Sequence, residues 1–257
     1  MHKNSIISFS LCIMLLASTF PVVTMATSDV HETFDKQNEE IILFQIEENM
    51  KYIEEYLVAN GTSVEDEMLK FIALLQLKLS TANKGNQDKF RDLINVSQSL
   101  LDDYSNYKND VITRGGYHPV LSPAVAAIVT FFSASGYYLS AELLVHAKDN
   151  NILDSTYYPG FGSNVLYSSV TTSIRSSNAT SGSNAYPNSG STVEKDLYYA
   201  IHRFSWEKNY NNQITIKDRY DYDVTQNYAG IQGVATDTMY LAQTLGVIVP
   251  FQVRIIV

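Results

Sequence analysis

The chain has 257 residues, with 27 Asp and Glu against 18 Lys and Arg and a formal net charge of −9. Such an acidic protein is poorly matched to nucleic acid or an anionic membrane surface, so charge-driven binding of either is not expected. The length allows one or two domains with a substantial core, and a lone cysteine, Cys12, excludes an internal disulfide or a multi-thiolate metal centre.

Residues 1–26 carry Lys3, an apolar run from Ile6 to Leu16 and beyond, and Thr24-Met25-Ala26 before a polar stretch. Small residues at positions −3 and −1 predict a secretory leader cut after Ala26. Cleavage removes Cys12 and Lys3, leaving 17 basic against 27 acidic residues, a net of −10. The expected product is secreted and cysteine-free, which suits Gram-positive export better than a disulfide-stapled module.

Helical spacing dominates the next segment. Over residues 33–60, Phe34, Ile41, Ile42, Phe44, Ile46, Met50, Ile53 and Leu57 oppose a Glu-rich face, and Asn60-Gly61 ends the pattern. Thr62-Ser63-Val64-Glu65 reads as a capping box opening a second helix through Leu79. Residues 83–87 read as a loop, and a third helix is predicted over about 88–107 with Phe90, Leu93, Ile94, Val96 and Leu100 inside. Short connections between three helices imply a bundle over 27–112.

Arg114-Gly115-Gly116 marks a break, and residues 119–141 then carry no charge. That length could cross a bilayer. Interspersed Ser, Thr and Gly and the absence of a flanking basic cluster favour a buried central helix, kinked at Gly136. Glu142 and His146, at i,i+4, could pair on a helix face or, with a third ligand, hold a metal. Residues 151–190, rich in Ser, Asn, Gly and Thr, read mostly as ordered loop with a short helix near 165–174.

The last segment, 191–257, has its own pattern. Leu197, Ala200, Ile201 and Phe204 form an apolar helical face capped by Ser191 or Thr192. Residues 205–223 read as a β-hairpin turning at Asn211-Asn212, with Ile214 and Ile216 alternating against Thr215 and Lys217. A second helix follows through Ile231, Val234, Thr238, Leu241, Ala242 and Leu245, closed by Gly246. A final strand over 247–257 has Pro250 near its start. The fold class expected is α+β: a helical N-terminal half, a buried central helix within 113–190, and a helix–β-hairpin–helix–strand module.

The hairpin's second strand ends in Asp218-Arg219-Tyr220-Asp221-Tyr222-Asp223. Alternation places Asp218, Tyr220 and Tyr222 on the face of Ile214 and Ile216, and Lys217, Arg219, Asp221 and Asp223 on the other. Neighbouring carboxylates raise one another's pKa and a phenol beside them donates a hydrogen bond, so acid–base chemistry or cation binding is available. An ordinary polar strand end with an Asx turn is the structural alternative.

Asp218-Arg219-Tyr220-Asp221 resembles the D-x-Y-D motif of the colicin M-like bacteriocins, secreted toxins that hydrolyse the lipid-linked pyrophosphate precursor of peptidoglycan. The order helix, strand into the motif, helix, final strand is also similar. The resemblance implies catalytic roles for Asp218, Tyr220 and Asp221. The family's motif is followed by a His-Arg pair, where this chain has Gln226-Asn227-Tyr228; His202-Arg203 is the one His-Arg pair present. His202 or Arg203 would then supply the proton donor or phosphate contact, and Mg²⁺ or Ca²⁺ on the carboxylates could neutralise a pyrophosphate. The segment also looks like the C-terminal part of secreted proteins of low-GC Gram-positive bacteria.

No P-loop, glycine-rich dinucleotide turn, HExxH or triad pattern is present. The leading expectation is a non-enzymatic extracellular interaction protein whose partner is an extracellular protein or a cell-wall component. A colicin M-like hydrolase is the alternative, and a membrane-active protein using residues 119–147 is the second.

Overall fold

The computed structural model describes residues 28–109, 120–222 and 230–257, with side chains described from residue 40 onward. The expected leader, the break at Arg114-Gly115-Gly116, and the positions Asp223 and Gln226-Asn227-Tyr228 lie outside the described residues. The chain divides into two units between Glu40 and Ile41, and on the N-terminal side of that division the described residues are the beginning of helix α1 (Ser28–Ala59).

The fold is α+β with a helical N-terminal half, as the periodicity implies. In α1, Ile46, Met50, Ile53 and Leu57 recur on one face and are all buried. Gly61, at φ 77°, closes α1 by a Schellman motif in which Thr62 N–H donates to Leu57 O and Gly61 N–H to Val58 O. Ser63 then caps α2 (Val64–Thr81) by accepting from Asp66 N–H at 3.1 Å. Helix α3 (Lys84–Lys108) starts earlier than its apolar set, because the Asn83 side chain caps it by accepting from Asn86 N–H. Most of the expected 83–87 loop is therefore helix.

The uncharged stretch is two helices, not one kinked helix. Helix α4 (Leu121–Ala134) ends at Gly136, whose φ of 75° supports a second Schellman motif: Tyr137 N–H to Phe132 O and Gly136 N–H to Ser133 O. Helix α5 (Tyr138–Asp149) follows directly. Helix α4 is buried on nearly all sides because α2, α3 and α5 pack around it, which is why it lacks an apolar stripe. Among the described residues no helix is long and apolar enough to cross a membrane.

The Ser/Asn/Gly-rich region contains more structure than its composition suggests. Strand β1 (Thr156–Tyr157), a 3-10 helix (Gly162–Tyr167), helix α6 (Ser169–Ser176) and strand β2 (Ser181–Ala185) all lie in it. Then come α7 (Thr192–Ile201), the hairpin strands β3 (Arg203–Lys208) and β4 (Ile214–Tyr220), helix α8 (Ile231–Thr244) and β5 (Phe251–Ile256). Phe204, expected on a helix, is a buried β3 residue because α7 stops at Ile201.

The five strands among the described residues form one sheet in the order β1-β5-β4-β3-β2, antiparallel except for the parallel β1–β5 pair. The hairpin turns through Asn212 at φ 63°, a conformation asparagine tolerates. Alternate residues Phe204 and Trp206, Ile214 and Ile216, and Phe251, Val253 and Ile255 point inward. Gly182 faces the Trp206 ring so closely that a Cβ would lie 3.0–3.1 Å from it, and Asn184 accepts from the indole Nε1 at 2.7 Å.

Candidate functional site

Two buried carboxylates organise the region around the sheet end. Asp196 of α7 is 1% exposed and caps the start of α5 from 56 residues away, accepting from Leu139 N–H and Ser140 N–H at 2.9 Å and from Ser140 Oγ at 2.7 Å. Burial pushes its pKa up to about 6 against these donors. Glu142, wholly buried on α5, accepts from Tyr157 Oη at 2.7 Å, Gly160 N–H at 2.6 Å and Phe161 N–H at 2.8 Å. It thus pins the loop after β1 rather than pairing with His146, whose ring stacks on Tyr157 at 3.7 Å. The metal reading of Glu142 and His146 fails on this geometry.

A cleft with room of about 190 Å³ opens where α7 ends and β4 ends. His202, Arg203, Asp218, Tyr220 and Asp221 all line it, so the five residues singled out from sequence are brought together. Tyr198, Tyr199, Arg219, Tyr222, Phe132 and Thr236 are also in its wall. The alternation along β4 holds: the Tyr220 and Tyr222 hydroxyls share a hydrogen bond on the buried side, while Arg219 pairs with Asp221 on the other. The cleft wraps the strand end, so both faces contribute.

Each group has a distinct state. Asp218 is half-buried, and its carboxyl is pushed up to about 7 by burial, assisted by the Asp221 charge and opposed by a hydrogen bond from Arg219 N–H. Tyr220 is buried and its phenol is raised well above the usual range, first by burial and then by Tyr222. It is a neutral hydrogen-bond donor at ordinary pH. Gln243 of α8 fixes the strand's continuation, its side-chain oxygen accepting from Tyr222 N–H at 3.0 Å and its nitrogen donating to Tyr222 O at 3.2 Å. Arg219 is held by Asp154 at 2.9 Å as well as by Asp221.

His202 caps the end of α7, and its ring lies 4.4 Å from that of Tyr198. Arg203 is exposed and makes no ion pair among the described residues. Searches against family models, curated proteins and solved structures find no match for this chain.

Among the described residues no three His, Asp or Glu side chains gather as a metal site. Two carboxylates face the cleft, and Asp221 is engaged by Arg219. This donor set is too sparse for the oxygen-rich cage of Ca²⁺, whereas Mg²⁺, which binds through one or two carboxylates with waters and substrate phosphates, would be compatible with it. The chemistry available is therefore a carboxyl poised near neutrality, a histidine, an exposed guanidinium and a buried phenol pair. Sequence reasoning places Arg219 and Tyr222 in the strand-end cluster without giving either a role, and it misses Tyr198 and Tyr199 of α7, for which no spacing gives a signal.

Proposed function

We propose that the cleft is an acid–base hydrolytic site for an anionic phosphate ester, with a lipid-linked pyrophosphate of the cell wall as the substrate class. One observation carries the reading: His202-Arg203 and Asp218–Asp221, on different elements, line the same cleft. The D-x-Y-D resemblance adds the substrate class. Extracellular action is part of the proposal and rests on the pattern in residues 1–26.

In this reading Arg203, at the mouth, binds the phosphate as a charged donor. The Asp218 carboxylate takes a proton from water as the water oxygen bonds to phosphorus. The phosphorus–oxygen bond to the leaving group breaks, and His202 protonates the departing oxygen. Tyr220 and Asp221 are positioning residues: the phenol shares its hydrogen bond with Tyr222 on the buried side of the cleft, and Asp221 orients Arg219.

The test is release of a water-soluble, phosphate-bearing product from a labelled lipid-linked pyrophosphate. Wild-type kcat/KM is expected to rise with pH through about 7 as Asp218 ionises. Asp218→Asn should lose roughly 100-fold or more and abolish that limb, while remaining folded. Hydrolysis by the variant at the wild-type rate, or a profile flat through pH 7, would remove the reading.

A non-enzymatic interaction protein is the second reading. Ile152 and Leu153, 63% and 62% exposed, flank the Asp154–Arg219 ion pair and place aliphatic surface beside the cleft. Retention of a partner by an Asp218→Asn variant, with no hydrolysis by the wild type, would favour it.

A further inference from the structure

A second cleft, of about 250 Å³, lies between α3 and α5 and is closed at one end by Tyr157 of β1. Its lining divides by chemistry. Leu93, Val96 and Val145 supply an apolar side; Lys89 supplies a cation; Asp92 and Asp149 supply two carboxylates. Neither carboxylate forms an ion pair with Lys89 among the described residues, so opposite charges face one small space without neutralising each other directly.

The cation is fixed in place. Lys89 Nζ donates to Tyr158 O and, at 3.4 Å, to Asn86 Oδ1, and stands 5.6 Å from the centre of the Tyr157 ring, which leaves one of its three donors for a ligand. Its amine is half-buried, and desolvation lowers its pKa, opposed by the Glu142 charge behind Tyr157. His146 adds no charge at neutral pH, since burial and then Lys89 depress its imidazole to about 4. Asp92 and Asp149 are exposed at the rim, one on each helix.

We propose that this cleft binds a small zwitterion of the amino-acid class, its carboxylate on Lys89, its ammonium at Asp92 and Asp149, and a short apolar side chain against Leu93, Val96 and Val145. Separated charges of both signs beside an apolar wall match that ligand. A simple anion would meet two carboxylates, and a simple cation would meet Lys89. The volume falls just below the range for ordinary small-molecule sites, about 300–1,000 Å³, which limits the ligand to a few heavy atoms and the affinity to about the millimolar range. This site is independent of the hydrolytic cleft.

The experiment is an NMR titration of the full chain with alanine, propionate and ethylamine, following amides of α3 and α5. Alanine should shift residues around Lys89 and Asp149 and saturate, with propionate and ethylamine each about tenfold weaker or worse. Lys89→Gln and Asp149→Asn should each weaken alanine by about tenfold. An unchanged melting temperature in both variants would show that the loss reports binding. Equal affinity for ethylamine or propionate, full alanine affinity in both variants, or no shift at up to about 50 mM alanine would overturn the proposal.

Discussion

Replacing Asp218 by asparagine should make the protein more stable at alkaline pH while removing its proposed base. The folded carboxyl titrates at about 7 instead of the ordinary 3.8, because burial disfavours the charged form. A proton held that much more tightly in the folded state corresponds to about 4 kcal/mol. Asp218 is only half-buried, so solvent screening reduces this to on the order of 1–3 kcal/mol. The sign follows from the raised pKa: the folded state binds the proton better, so stability from this group is full below pH 4 and is lost as pH rises to 7. Asparagine has no proton to lose. Thermal unfolding of wild type and Asp218→Asn should therefore coincide near pH 4 and diverge by pH 8, the variant melting roughly 2–10 °C higher. A variant that melts below wild type at pH 8, or a difference independent of pH, would refute the claim that Asp218 is a desolvated, strained carboxyl.

Glu142→Gln tests the buried anchor from the opposite direction. The amide must turn its NH₂ toward Gly160 N–H and Tyr157 Oη or toward Phe161 N–H, leaving at least one buried donor unpaired at a cost of about 1–3 kcal/mol. Melting should fall by roughly 2–12 °C; no change would mean the three donors find other partners. Gly136→Ala and Gly246→Ala form a matched pair, with φ of 75° and 71°. Both bear the left-handed penalty of about 1–2 kcal/mol. A Cβ at 136 would also lie 3.1 Å from Thr192 Cγ2, whereas one at 246 meets nothing within 4 Å. Urea denaturation should rank Gly136→Ala as the more damaging, and the reverse order would show that Thr192 moves aside freely.

Much of this architecture is written locally. Gly61 and Gly246 read as helix stops because apolar periodicity ends at each, and Ser191 as one of two candidate caps; the capping-box pattern puts Thr62 at the start of α2, where Ser63 is the residue that caps it. Gly136 uses the same hydrogen-bond device but reads as a kink in sequence, since apolar residues continue on both sides. Strand β2, Ser-Gly-Ser-Asn-Ala, has no apolar alternation at all. It is exposed along its length and exists because β3 offers a ladder and Gly182 admits the Trp206 ring. The candidate site was legible as a strand-end cluster in β4. Its junction with His202 depends on where α7 stops, which the helical-looking Phe204 concealed. Asp196 capping α5 and Glu142 holding the 160–161 amides are long-range pairings with no spacing to betray them.

The sheet order has a temporal consequence. β5 lies between β1 and β4, yet it is the last of the five in sequence, with Gln252 aligned to Thr156. As the chain emerges from its N-terminal side, β2, β3 and β4 can assemble by hairpin and nearby pairing. The wall that carries Asp218 must wait with an open edge until β5 is made, and β1 waits longer still to pair with it. Such distant pairing slows folding and leaves an unpaired strand available to other chains in the interval. Conditions that delay the arrival of residues 251–256 should therefore show first as aggregation through the β4 edge rather than as loss of the helical half.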